Sequence, residues 1–497
     1  MKFSLLYRDP NTAEPIRLDE KLLYDLSLDK AVSSFCPHPK RAAYFTDVLA
    51  SPAQTLDDIT YRQDILKDFI SNGKLLDNMK LIFNRYDKII GDWEELRRNV
   101  YPSDAGGGYR ALLDYTYSQM QVTATFTKTI VAYLKSFGEL LENADIHSMG
   151  LCNIRGYCRE MTRNKALDEV AEIASLFQYR SPDDYRFTVS VTMDEALRAT
   201  GCELTDITDC NSLKKDGLLK KFFSKKQDTN ETKLGDTESD DALYVLNEAL
   251  RRTHDALSDI ADGVYELFYG LSREFMFYDA AVLYVEMLEQ NGVTYTFPEI
   301  LDESSDTFRA KELRDLILCC DPDRVVTAND VRFESHDSGM LIRGRNNTGK
   351  TVFLRSVALA QIFAQSGLPV CAENAQISIR SMICAHFSSA EEELREGDVA
   401  GRFEGEVQLI ADIVNKLRPH GLVFFNETFQ TTSYDEATKA IGAVLALLAK
   451  LNIQFVFVTH LTGLFDEELG GVRRMETDEG VNRFKLREIS ADFDTKE

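Results

Sequence analysis

Up to about residue 320 the chain repeats apolar positions at helical spacing. The stretch TYRQDILKDFISNGKLLDNMKLIFNRYDKI (60–89) sets them three and four apart, as amphipathic helices do. The loop YPSDAGGGY (101–109) breaks the pattern, and a helical stretch from about Arg110 to Asn143 follows. RFTVSVTMDEAL (186–197) begins β-branched and alternating, which predicts a short strand. Residues 203–241 change character: a lysine-rich run gives way to polar and acidic residues with few apolar anchors, so a mobile loop or flexible tip is expected. From 241 to 291 there is no proline, and Leu243, Leu246, Leu250, Leu257, Ile260, Val264, Leu267 and Leu271 form a steady stripe. An unbroken helix of that length spans roughly 75 Å; one break is expected near Gly270, which leaves a long lever-like element. From Val325 short apolar runs alternate with helical segments: VVTANDVRF, GMLIRG, a helix from Lys350, LVFF, IQFVFVTH. That alternation predicts an α/β domain with a largely parallel sheet.

Length and composition change this picture little. At 497 residues two to four domains are expected, and 44% hydrophobic with 28% charged residues fits a soluble globular protein. The start reads as no signal peptide, and no apolar run reaches the ~18 residues of a membrane helix. Nine scattered cysteines include no CxxC, which points to a reduced, cytoplasmic protein. The formal charge of −24 argues against a surface that coats nucleic acid indiscriminately, so any contact with it needs a local basic patch.

The chemistry begins at GRNNTGKT, which matches GxxxxGK[ST] in full, after an apolar strand and before a helix. Gly344 and Gly349 let the backbone turn so that the N–H groups of Arg345, Asn346, Asn347 and Thr348 can point at phosphates. The helix N-terminus adds partial positive charge. Lys350 is expected to reach the β- and γ-phosphates of ATP, and the Thr351 hydroxyl to ligate Mg²⁺. GLVFFNETFQTTS (421–433) is an apolar strand running into Asn426 and Glu427. Asn426 stands where such an ATPase places its magnesium aspartate; it keeps an acceptor oxygen and loses the charge, which weakens the hold on the metal. Glu427 keeps its carboxylate and is the candidate for polarising the attacking water. His460 ends another buried strand, where it senses the γ-phosphate, orients water, or serves the structure alone.

Together these motifs resemble the MutS family of DNA mismatch-repair ATPases. The order agrees too: ANDV (328–331), then the P-loop, then SSAEEELREGDVAGRFEGEV (388–407) in the place of the family's signature segment, with Phe403 and Glu406 at matching positions, then FFNETFQTTS, then VTH (458–460). YRQDILKDF (61–69) and FYDAAVLYVEML into FPEI (277–300) resemble the family's lever. The resemblance implies a multidomain protein: a mainly α-helical lever and clamp region over 1–320, with a clamp-like tip near 186–240, followed by an α/β P-loop ABC-type ATPase domain over 321–497. It also implies a homodimer, constitutive or nucleotide-dependent, with the signature segment of one protomer facing the P-loop of the other. Ser388 and Ser389 precede a helix on that segment. Asn426 departs from the family's acid, and Phe429 and Gln430 from a Gly-Arg pair. The chain also reads as a shortened homologue: without the mismatch-reading and connector domains, without the helical dimerisation element, and outside the mismatch-domain-less branch that carries a nuclease module.

KKDGLLKKFFSKK (214–226) carries Lys214, Lys215, Lys220, Lys221, Lys225 and Lys226 around Phe222 and Phe223, about where the clamp tip falls. It is either a phosphate-binding patch for double-stranded or branched DNA or a solvated loop. Three functions compete. One is an ATPase that moves lever arms around DNA, in repair or recombination. Another is an ATP-gated binding or scaffold protein with little hydrolysis. The third is an ABC-type ATPase acting on partners other than DNA.

Overall fold

The computed structural model describes residues 3–11, 15–98, 108–163, 165–177, 181–195, 199–209, 240–387, 399–428, 434–467, 469–478, 480 and 484–489, with backbone alone at 199, 209, 399–406, 409, 434 and 435. By contact the chain divides into two compact units, one of residues 1–3 with 72–272, the other of residues 4–71 with 273–497.

The chain opens with α1 (Glu20–Asp25), α2 (Leu28–Phe35), α3 (Pro39–Leu49), α4 (Leu56–Ser71), α5 (Gly73–Arg98), α6 (Tyr109–Glu142), α7 (Met149–Arg163) and α8 (Lys165–Leu176). A hairpin of β1 (Tyr185–Met193) and β2 (Ala199–Asp209) follows, then α9 (Asp240–Gln290). The remainder is β3 (Glu299–Leu301), β4 (Phe308–Leu313), α10 (Leu316–Cys319), β5 (Asn329–Phe333), β6 (Gly339–Arg343), α11 (Lys350–Gln365), β7 (Asn374–Ser378), β8 (Ile383–Phe387), α12 (Val399–Lys416), β9 (Leu422–Asn426), α13 (Tyr434–Lys450), β10 (Gln454–Val458), β11 (Val472–Thr477) and β12 (Leu486–Glu488).

In the first unit α6 buries residues three and four apart along its length and packs against α5, α7 and α8. Its core is aromatic: the Phe268 ring meets Tyr133 edge-on at 4.6 Å and Phe137 at 5.1 Å, and Trp93 stacks on Phe126 at 4.3 Å. Two expectations are corrected here. The long helix has no break at Gly270: α9 runs through it for 51 residues. Gly270 faces open space, and a helical glycine costs only about 1 kcal/mol. The buried Phe268 and Leu271 beside it outweigh that. Residues 203–209 are also not part of a polar tip. They are strand β2, whose Cys202, Leu204 and Ile207 are buried in the same cluster as Tyr117 and Leu250. A bulge opposite Thr188 and Val189 moves the inward positions from 202 and 204 to 207, which hides the alternation in the sequence. The rest of the expected tip, 210–239, and most of the loop expected at 101–109 lie outside the described residues.

The second unit contains two sheets. One has the order β12-β11-β6-β10-β9-β8, parallel except for β12. The other, β3-β7-β4-β5, is mixed, and its strands β3 and β4 precede residue 320, inside the stretch read as helical. The runs LVFF and QFVFV are buried along their whole length because both faces are covered. Leu341, Val423, Phe425, Phe455 and Phe457 pack with Ile441, Leu445 and Leu448 of α13. Helix α11 contacts β9 and β10. Its own outer side is met by residues from far away in the chain: Phe363 lies 6.5 Å from Phe45 and 5.2 Å from Tyr284, ring to ring. Ala53 and Gln365 exchange hydrogen bonds of 3.0 and 3.1 Å. Arg355 forks onto the buried Asp315 carboxylate at 2.8 and 2.9 Å, and Asp315 in turn caps α10. The helix that starts at Lys350 is thus clamped along its length.

Candidate active site

The parallel strands end level with one another. Ile342 of β6 lies beside Val458 of β10, Val458 beside Asn426 of β9, and Asn426 beside Phe387 of β8. The residues that follow each strand therefore meet at one edge, the carboxyl edge where ligands of such sheets bind. In chain order β9 and β10 come long after β6, so only the crossover places β10 between them.

At this edge the loop after β6 turns on two glycines. Gly344 has φ +153°, and a Cβ there would sit 1.9 Å from Thr477 Oγ1. Gly349 has φ +88°, and a Cβ would come within 3.2 Å of the Phe484 ring. No other residue fits either place without a shift. Asn347 adopts φ +62°, a conformation asparagine tolerates better than most. The Thr348 hydroxyl donates to Arg345 O at 2.7 Å and accepts from Thr477 Oγ1 at 2.9 Å, which ties the loop to the end of β11. Arg345, Asn346 and Asn347 are exposed. The first N–H groups of α11 have no acceptor within the helix and carry the positive end of its dipole.

Lys350 is buried at the start of α11. Its Nζ donates to Gly344 O at 2.8 Å and Arg345 O at 2.9 Å, and lies 3.9 Å from Glu427 Oε1. Burial pulls its pKa down, and the Glu427 charge opposes that shift. Thr351 Oγ1 donates to Asn426 Oδ1 at 3.1 Å. These two neutral oxygens are hard donors of the kind magnesium takes. Glu427 sits in the left-handed region at φ +55°, held by its N–H on Val458 O at 2.8 Å. Its Oε1 is 3.0 Å from His460 Nε2. His460 follows Thr459, whose N–H reaches Ile342 O at 3.0 Å. One carboxylate oxygen thus has an ammonium and an imidazole for neighbours, at the mouth of a glycine-shaped cradle. A polyphosphate with a divalent cation suits this donor set: main-chain N–H groups and an ammonium for the anion, two neutral oxygens and a carboxylate for the cation and a water.

The six lysines at 214–226, Ser388, Ser389, Phe429 and Gln430 lie outside the described residues, and Phe403 and Glu406 fall on α12, where the backbone alone is described. Three side chains at this edge went unnoticed in the sequence: Thr477, and the pair His386 and Thr428, whose Nδ1 and Oγ1 are 2.8 Å apart. Thr477 carries no sequence signal. His386 does, since it stands near the end of the apolar run MICAHF just as His460 ends IQFVFVTH.

His386 is 3% exposed, and burial, with Lys21 adding to it, drops its pKa to about 4. An unfolded histidine titrates near 6.5, so between pH 6.5 and 4 the unfolded chain takes up a proton that the folded chain refuses. Stability contributed here is complete above pH 6.5 and is lost as pH falls toward 4. Between pH 7 and pH 5 the wild-type protein is expected to lose about 2 kcal/mol more unfolding free energy than H386N. Urea unfolding of both proteins at the two pH values checks this; equal losses contradict it.

Comparison with known proteins gives two family matches. Residues 340–480 match the model for MutS domain V, and residues 54–291 match the model for the MutS2 N-terminal domain. A DNA mismatch repair protein MutS from Caldicellulosiruptor saccharolyticus is 32% identical over 170 residues, 32% of this chain and 19% of that protein. An Endonuclease MutS2 from Streptococcus uberis is 31% identical over 134 residues, 27% of this chain and 17% of that protein. A DNA mismatch repair protein MutS from Prochlorococcus marinus is 30% identical over 139 residues, 28% and 15% of the two chains. The matched stretch spans less than a fifth of each of these relatives. The helical residues match the model of the MutS2 branch, against the expectation from the sequence that the chain lies outside it. Among the described residues no helix is long and apolar enough to cross a membrane. With one model covering most of the helical part and the other the parallel sheet with its P-loop, the chain belongs to the MutS family.

Proposed function

We propose that this protein binds and hydrolyses ATP at the loop 344–351 and couples that cycle to movement of its long helices on DNA, in repair or recombination. The observation that carries the reading is the convergence of Lys350, Glu427 and His460, from three separate strand ends, within 3.9 Å of one carboxylate oxygen. In this reading the N–H groups from Arg345 to Thr351 and the Lys350 ammonium hold the phosphates. Thr351 and Asn426 would hold magnesium, which would supply charge neutralisation for the phosphates. Glu427 takes the proton of the attacking water, and His460 orients the carboxylate. Lysine and histidine on the same oxygen keep the Glu427 carboxylate aimed. Nucleotide binding and turnover by the wild type and two variants, argued in the Discussion, test this core.

A second reading, an ATP-gated binding or scaffold protein with little hydrolysis, is favoured by Asn426 alone. An amide accepts a hydrogen bond, as it does from Thr351, but contributes no charge to the metal.

Two partners belong to the proposal. We read the protein as a homodimer that closes on nucleotide, so its mass in solution is expected to double with ATP and magnesium; light scattering that finds one mass with and without them removes nucleotide-driven dimerisation. DNA is the second partner, double-stranded or branched, and KKDGLLKKFFSKK its candidate contact. Charge reversal of Lys220, Lys221, Lys225 and Lys226 to glutamate is expected to abolish DNA retention at low salt, because phosphate neutralisation drives such binding. Unchanged retention takes the patch out of the proposal.

A further inference from the structure

The turn that carries Glu427 has a second tether on the neighbouring strand: we propose that His386, through its hydrogen bond to Thr428, is a positioning residue for the Glu427 carboxylate. This rests on reading Glu427 as the base of an ATPase.

Glu427 holds a backbone conformation that side-chain-bearing residues avoid, at φ +55°. Such a residue stays there only if its flanks are fixed. On one flank its own N–H is bound to Val458 O. On the other, the next residue, Thr428, is 1% exposed, and its hydroxyl lies 2.8 Å from His386 Nδ1. His386 is buried in β8, paired in register with Phe425, two residues before Glu427. The pair thus ties the turn after β9 to the neighbouring strand β8. Release of Thr428 lets the peptide between 427 and 428 rotate toward a relaxed conformation. The Glu427 side chain then moves away from His460 Nε2 and Lys350 Nζ, which lie only 3.0 and 3.9 Å from Oε1. The P-loop has no part in the pair, so phosphate binding is independent of it. The expected signature is a loss in kcat with little change in nucleotide affinity. β8 ends at Phe387, and the chain then enters 388–407, the segment that resembles the family's signature segment.

The test compares H386A, H386N, T428V and the double variant H386A/T428V in the full chain, reading ATP affinity and steady-state turnover for each. Asparagine can offer a polar atom where Nδ1 stands, and valine keeps the shape of threonine without its hydroxyl. H386A and T428V are expected to lower kcat about tenfold each, less than the hundredfold of an ångström-scale misplacement, with affinity within twofold of wild type. The double variant is expected to lose about tenfold as well, since both changes break one interaction. H386N is expected to recover most of the lost rate. The inference is overturned if H386A turns over like wild type. It is overturned equally if the two losses multiply, or if H386A loses nucleotide affinity and H386N restores nothing, which is the pattern of a purely structural histidine. A wild-type protein that binds ATP without hydrolysing it sinks the ATPase reading, and this inference with it; the variants play no part in that outcome.

Discussion

Lys350→Ala is expected to weaken ATP binding about a hundredfold or more while leaving the thermal midpoint of the free protein nearly unchanged. The first half follows from charge. Hydrogen bonds from an ammonium to phosphate oxygens are worth about 1.5–3 kcal/mol each, and 1.4 kcal/mol is a factor of ten in affinity. The second half follows from where the lysine sits. It is a buried cation at the first turn of α11, where the helix dipole disfavours positive charge, and burial already depresses its pKa. Alanine suits a helix start better. What is lost on folding is two bonds to loop carbonyls, Gly344 O and Arg345 O. The two effects roughly cancel, so the change should stay within about 1 kcal/mol. Calorimetric titration with ATP and a melting curve, run on the same samples, read both halves. Equal affinity in the two proteins removes the phosphate cradle from the account. A large drop in the midpoint makes the affinity loss uninformative, and Lys350→Arg then replaces it as the variant.

Glu427→Gln is expected to cut ATP turnover about a hundredfold or more, with ATP affinity kept within a few-fold. A positioned general base is worth about 10²–10⁴ in rate. The amide matches the carboxylate in size and keeps an oxygen to face His460 Nε2, so the geometry of the edge survives while the proton acceptor does not. Turnover of wild type and variant, each at saturating ATP and magnesium, decides between the readings. A measurable wild-type rate that collapses in the variant supports the ATPase. A wild-type rate near zero, with ATP still bound, supports the binding switch that Asn426 favours. Turnover that is the same in both proteins belongs to some other site.

Much of this edge is legible in the sequence. An apolar strand, GRNNTGKT and a helix are consecutive, so the loop that joins them is a local matter of two glycines and a helix start. The runs LVFF and QFVFV announced strands buried on both faces, and the residues after them, Asn426, Glu427 and His460, were the ones to examine. Other features could not be read. The bulge near Thr205 shifts the alternation of β2 out of phase, so a buried strand looked like part of a polar tip. Gly270 looked like a helix breaker, because a sequence does not say that the flanking Phe268 and Leu271 are buried. Residues 4–71 read as the start of a helical front, yet by contact they cluster with the two sheets.

The chain by itself determined most of the helices, the central strands of the parallel sheet and the glycine-turned loop between β6 and α11, because these depend on neighbours within a few residues. The tertiary structure alone decided which strand ends stand side by side. Thr351 meets Asn426 across 75 residues, Thr348 meets Thr477 across 129, and His386 meets Thr428 across 42. Hydrophobic periodicity reports that a face is covered and says nothing of what covers it. The order β6-β10-β9-β8 arises from packing helices on both sides of one sheet, and only in that order do an ammonium, a carboxylate and an imidazole meet.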